Sequence, residues 1–112
     1  MKAVQLHAIP WEALQELGKV YAMGAEKYSD YNFRKGYAWS LSFDAMLRHM
    51  FAFWSGEETD PESGHPHMAH AGWHAMTLSL FASQEKYDEF DDRPWVTDLL
   101  TQIKKAYADQ GH

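Results

Sequence analysis

Apolar residues recur at helical spacing in four stretches of this chain, and nowhere do they alternate as a half-buried strand requires. Leu14, Leu17, Tyr21 and Tyr28 follow Pro10, whose missing N–H is harmless in a first helical turn. They predict a helix over 10–28, with Gly18 and Gly24 as its weak points. Phe43, Met46, Leu47, Met50 and Trp54 predict a second buried stripe over 42–55, capped by Ser40 or Ser42 and closed by Gly56. Met68, Ala71, Ala75, Leu78 and Ala82 predict a third helix over 66–86. Trp73 and Leu80 lie on another of its faces, which marks it as central or interfacial. Asp92, as an N-cap followed closely by Pro94, opens a fourth helix on Val96, Leu99, Leu100, Ile103 and Tyr107, ending near Gly111. The expectation is an all-α fold, a four-helix bundle in one domain over residues 1–112.

The formal charge of −6 argues against nucleic-acid binding through a basic surface. With no cysteine there are no disulfides, no thiolate zinc sites and no thiol nucleophile. No apolar run reaches transmembrane length and MKAVQLHAIPWE lacks a signal-peptide core, so a soluble cytoplasmic protein without membrane contact is expected. Aromatics are 15% of the residues, an excess that favours a homo-oligomer or a ligand pocket. P-loop, GxSxG and GxGxxG motifs are absent, as is an adjacent His-Asp pair.

Two connectors carry chemistry. SDYNFRKGYAW reads as a loop, loaded with Tyr31, Asn32, Phe33, Arg34, Lys35, Tyr37 and Trp39. It is equally a connector whose aromatics plug the core and a clamp that stacks on a base and contacts a phosphate. The stretch GEETDPESGHPHMAHAGWH packs four acidic residues and four histidines into residues 56–74. His67, His70 and His74 stand at i, i+3 and i+7, one stripe beside the apolar one, preceded by Glu57, Glu58, Asp60 and Glu62. Such a set either holds a divalent ion through mixed imidazole and carboxylate ligands or hydrogen-bonds across a bundle within a solvated acidic turn. Glu62 to His65 spells ExxH, but Gly64 and Pro66 break the helix that a di-iron bundle needs.

GAEKYSDYNFRKG (24–36) and DAMLRHMFAFWSGEETDPESGHPHMAHA (44–71) together resemble the phage and bacterial dATP/dGTP diphosphohydrolase N-terminal domain. The resemblance spans about 24–80, through the KY–N–KG run, the RH pair, the GE–D–ESG loop and an HxxH entering a helix. It implies a MazG-like helical bundle, assembled as a dimer or tetramer. The implied reaction converts purine nucleoside triphosphates to monophosphates and pyrophosphate with Mg²⁺ or Mn²⁺, with Zn²⁺ or Fe²⁺ as alternatives.

MazG-like enzymes usually carry ExxE on one helix and ExxD on the next. Here ExxD (Glu57–Asp60) falls in a loop, and the helices offer histidines. The expected metal shell is therefore mixed: His49, Glu58, Asp60, Glu62, His67 and His70. Glu57 or Glu62 would act as the general base. Lys27, Arg34, Lys35 and Arg48 are the phosphate cations to consider, and Tyr28, Asn32 and Trp39 the groups to hold a base. Two other functions fit the same residues: a metal-dependent phosphodiesterase or nuclease, and a non-enzymatic nucleotide- or protein-binding module.

Overall fold

The computed structural model describes residues 2–110, and of 95–100 the backbone alone. All four expected α-helices are present: α1 Trp11–Lys27, α2 Trp39–Trp54, α3 His67–Ser83 and α4 Pro94–Asp109. Among the described residues there is no strand, only an isolated bridge between Thr59 and Pro66. The fold is all-α. No described helix is long and apolar enough to cross a membrane.

α3 is the central element. It packs along α2 on one side and α1 on the other, and its C-terminal end meets the 3-10 turn Glu85–Phe90. α4 leaves this body. The radius of gyration, 17.7 Å, exceeds the roughly 13 Å of a compact chain of this length, and Ile103 and Tyr107 are exposed. The other members of the expected α4 stripe, Val96, Leu99 and Leu100, and its end near Gly111, lie outside the described side chains and residues.

Several local expectations are corrected. α2 begins at Trp39 with no side-chain cap from its own end. Its cap arrives from 52 residues away: Asp92 Oδ1 accepts from the Ser40 backbone N–H at 2.9 Å and Oδ2 from the Ser40 hydroxyl at 2.5 Å. Asp92 is thus spent on α2 and leaves α4 without a side-chain cap. α3 stops at Ser83, three residues early, because Glu85–Phe90 tightens into a 3-10 turn. The expected α2 stripe is largely open, with Phe43, Met50 and Trp54 exposed.

The α3 stripe is shifted as well. Met68, Ala75 and Ala82 are exposed, whereas His67, His70, Ala71, Thr77 and Phe81 are buried. The buried face is the histidine stripe itself, continued by Thr77 and Phe81. Polar groups tolerate such burial when each finds a partner, and these do. Thr77 bonds the Trp73 carbonyl at 2.9 Å, and the histidines bond side chains of α2 and the acidic loop.

Two aromatic clusters flank this stripe. Tyr21, Phe33 and Trp73 stand with ring centroids 5.7 to 5.8 Å apart, tying α1 and the 32–35 turn to α3. Trp39, Phe81 and Tyr87 form the deeper core, with Tyr37, Leu78, Leu80 and Phe90 packed against it.

Candidate functional site

α2 ends in a motif that aims the acidic loop. The Gly56 N–H bonds the Phe53 carbonyl and the Glu57 N–H bonds the Ala52 carbonyl, both at 3.0 Å. These are the paired bonds of a Schellman cap, and Gly56 takes the positive φ of 104° that such a cap requires. The expected role of Gly56 is therefore met, and the chain emerges with Glu57 turned toward the start of α3.

The loop that follows is folded rather than loosely solvated. Asp60 N–H bonds the His65 carbonyl at 2.9 Å, Gly64 N–H returns to the Asp60 carbonyl at 2.8 Å, and His67 N–H bonds the Glu58 carbonyl at 2.9 Å. Gly64 permits the reversal with φ 77°. Asp60 Oδ1 accepts from the Glu62 backbone N–H at 2.9 Å, which fixes the carboxylate inside the turn.

Four imidazoles meet where this loop closes on α2 and α3. His49 Nδ1 lies 2.9 Å from His67 Nδ1, and His67 Nε2 donates to Glu57 Oε1 at 2.6 Å. A neutral imidazole carries one N–H. With that of His67 committed to the carboxylate, its Nδ1 lone pair faces His49, which must supply the proton between them. His70 stacks on His49 with centroids 4.5 Å apart and an interplanar angle of 8°, and its Nε2 meets Ser63 Oγ at 2.7 Å. His74 Nδ1 lies 2.8 Å from Ser42 Oγ, which meets the Tyr37 hydroxyl at 2.6 Å.

Burial favours the neutral form of His49, His70 and His74. Burial, reinforced by the His70 and His67 imidazoles, lowers the His49 pKa. Burial lowers that of His70 too, against the pull of Asp60. His74 is pushed down to about 4, first by burial and then by His49, His70 and Arg48. Burial raises Asp60, but the Glu62 N–H and the neighbouring imidazoles outweigh it and bring the carboxyl below its usual range.

One consequence is a pH-dependent stability. His74 is depressed in the folded state, so the unfolded chain binds more protons wherever pH lies between about 6.5 and about 4. Stability is complete above that window and is lost as pH falls through it. The full shift corresponds to about 3 kcal/mol, which solvent screening at a partly exposed ring reduces to about 2 kcal/mol. Urea denaturation in EDTA across this window should show the fall, and His74→Gln should flatten it. An equal slope in the variant would rule out His74 as the source.

Of the expected site residues, the structure converges His49, Asp60 and His67, each offering a ligand atom within 4.8 Å of the others. Two imidazole nitrogens 2.9 Å apart match adjacent ligands on one ion with bonds of about 2.1 Å, so the donor set fits a divalent cation. Glu57 stands behind His67. Glu58 and Glu62 contribute main-chain groups and keep exposed side chains. His70 lies 3.8 Å from Asp60 Oδ2, at the edge of the set.

A cavity of about 720 Å³ adjoins the cluster at His74, lined among others by Tyr28, Asn32 and Arg34. Lys27 and Lys35 are exposed and outside its lining, and Arg48 is exposed on α2, its charge felt at His49 and His74. Trp39, expected near a base, is 5% exposed and belongs to the core.

Ser42 and Ser63 escape sequence reasoning. Ser42 looks like a cap and Ser63 like turn filler, and only the assembled fold sets each against a histidine.

A family model described as dATP/dGTP diphosphohydrolase, N-terminal, matches residues 1–93. No curated protein and no solved structure matches the chain.

Proposed function

The chain belongs to the dATP/dGTP diphosphohydrolase N-terminal family, and from that premise we propose that it is a divalent-metal-dependent pyrophosphohydrolase converting purine deoxynucleoside triphosphates to monophosphates and pyrophosphate. The observation that carries this reading is the convergence of His49, Asp60 and His67 at the closing point of the acidic loop. A divalent ion held there, Mn²⁺ or Mg²⁺ in our reading, would neutralise phosphate charge and acidify water.

The protein's own residues do the positioning. Glu57 holds His67 in the tautomer whose Nδ1 keeps its lone pair toward His49. The Glu62 N–H holds Asp60 in place, and burial keeps His49 and His70 unprotonated and able to act as ligands. Arg48, exposed next to His49, is the cation best placed to meet a phosphate. Glu57 is 54% exposed on its side chain, so it can hold His67 with one oxygen and still meet solvent, which suits a general base.

The same reading includes self-association. α2 exposes Leu41, Phe43, Phe51, Phe53 and Trp54, more large apolar surface than a single short helix normally leaves to water, and a second copy is the occupant that a homo-oligomer would supply. It also treats residues 1–112 as one cytoplasmic domain.

Incubation with dGTP or dATP and Mn²⁺, followed by product chromatography, is expected to yield the monophosphate and pyrophosphate in equal amounts. Diphosphate plus inorganic phosphate, or cleavage only of cyclic nucleotides or oligonucleotides in the same panel, would overturn the assignment.

A further inference from the structure

The 720 Å³ cavity beside the histidines has an internal logic of its own. Its wall is aromatic, built from Tyr21, Phe33 and Trp73, and its floor is the hydrogen-bonded pair Ser42 and His74. Among the described residues its only lining cation is Arg34 and its only lining carboxylate Asp30, so these charges balance. A triphosphate finds too little positive charge here. An uncharged aromatic ring with a sugar fits both the volume and the walls.

The rim carries a strained residue. Tyr31 adopts φ 61°, ψ 16°, the left-handed region that a bulky side chain rarely occupies. Tyr31 lines the cavity yet is 69% exposed, with the Arg34 guanidinium 5.8 Å from its ring and 5.8 Å from that of Phe33. Backbone strain that persists at a pocket mouth is a known mark of ligand clamps.

The lining also has an edge chemistry. A guanine presents adjacent N1–H and N2–H₂ donors on its pairing edge, which a carboxylate accepts together. Adenine presents one donor and one acceptor there, which an amide matches and a carboxylate does not. Asp30 and Asn32 both line the cavity, two residues apart. His74 joins this space to the cluster, since it lines the cavity and its ring lies 6.3 Å from that of His49.

Resting on the purine-nucleotide reading of the cluster, we propose that this cavity is a nucleoside subsite that fills without metal. Tyr31 closes over the base, and Asp30 favours guanine over adenine.

The test is calorimetry on the EDTA-treated full chain with deoxyguanosine, deoxyadenosine and pyrophosphate as separate probes. Deoxyguanosine should bind saturably, deoxyadenosine at least about fivefold more weakly, and pyrophosphate not at all. Asp30→Asn should weaken deoxyguanosine about tenfold and shift the dGTP-to-dATP ratio of kcat/KM toward dATP. Tyr31→Gly should weaken both nucleosides, and because glycine suits a φ of 61° the fold is kept, as circular dichroism would show. Absence of nucleoside binding, or an Asp30→Asn variant with unchanged base preference, overturns the proposal. Hydrolysis of dGTP without nucleoside binding would defeat the subsite and leave the activity standing. Nucleoside binding without hydrolysis of any triphosphate would uphold the subsite and defeat the activity.

Discussion

Replacing His67 with alanine is expected to lower the rate of dGTP hydrolysis at saturating substrate by at least about 100-fold and to strip the protein of bound Mn²⁺. His67 is 5% exposed and is the one side chain bonded to both Glu57 and His49. Its removal therefore takes away a ligand and frees both neighbours. Glu57 loses the imidazole it orients, and His49 loses the acceptor that fixes its Nδ1.

A graded variant separates ligation from orientation. Glu57→Gln retains an amide oxygen able to accept from His67 Nε2, so geometry survives while the charge behind the imidazole is lost. Metal affinity should then fall only about tenfold, while the rate falls further because the general base is lost with the charge. Mass spectrometry of the metal content, read beside the rate, distinguishes the two. If His67→Ala keeps its metal and its rate, the site lies elsewhere.

The helix count was legible because each helix is long and bounded by Pro or Gly, which punctuate a chain whatever its tertiary partners. Gly56 was legible for the same reason: a helix end that needs a left-handed residue advertises it locally. The faces were not. The α3 pattern puts an apolar stripe inside with the histidines beside it, yet the histidines are inside. Sequence patterning counts an imidazole as polar and cannot see that Ser42, Ser63, Glu57 and His49 will satisfy it. The α2 stripe departs in the opposite sense: its spacing puts Phe43, Met50 and Trp54 in a core, and in one copy of the chain all three are exposed. Asp92 shows the limit most sharply. Its position before Pro94 marks a local cap, and its carboxylate instead serves Ser40, a partner 52 residues away. Within the site, density in the 56–74 stretch pointed to the right region, but Glu58 and Glu62 act through the main chain, which composition cannot distinguish from ligation.

Replacing Gly36 with alanine is expected to destabilise the fold by about 3 kcal/mol or more, enough to leave much of a domain this small unfolded at 37 °C. Gly36 closes the 32–35 turn at φ 88°, ψ 153°, a backbone conformation that essentially only glycine adopts. A Cβ there would overlap Phe90 Cε2 and stand 2.8 Å from Phe90 Cδ2 and 3.1 Å from a Tyr87 ring carbon. Phe90 is half-buried against the core, and Tyr87 behind it cannot yield. Tyr87 is 1% exposed, packs on Phe81 at 4.6 Å and donates its hydroxyl to the Arg34 carbonyl at 2.8 Å. The strain therefore runs into the turn that carries Asn32 and Arg34 at the cavity, and into the core beneath Tyr37. Urea denaturation should show a lower midpoint with an unchanged slope, and nucleoside binding should weaken even in the fraction that remains folded. Phe90→Ala relieves the closer overlap, so the double variant Gly36→Ala/Phe90→Ala should lose less than the sum of the two single losses. Strict additivity would mean that the backbone angle alone, and not the close approach of the ring, is what reserves position 36 for glycine.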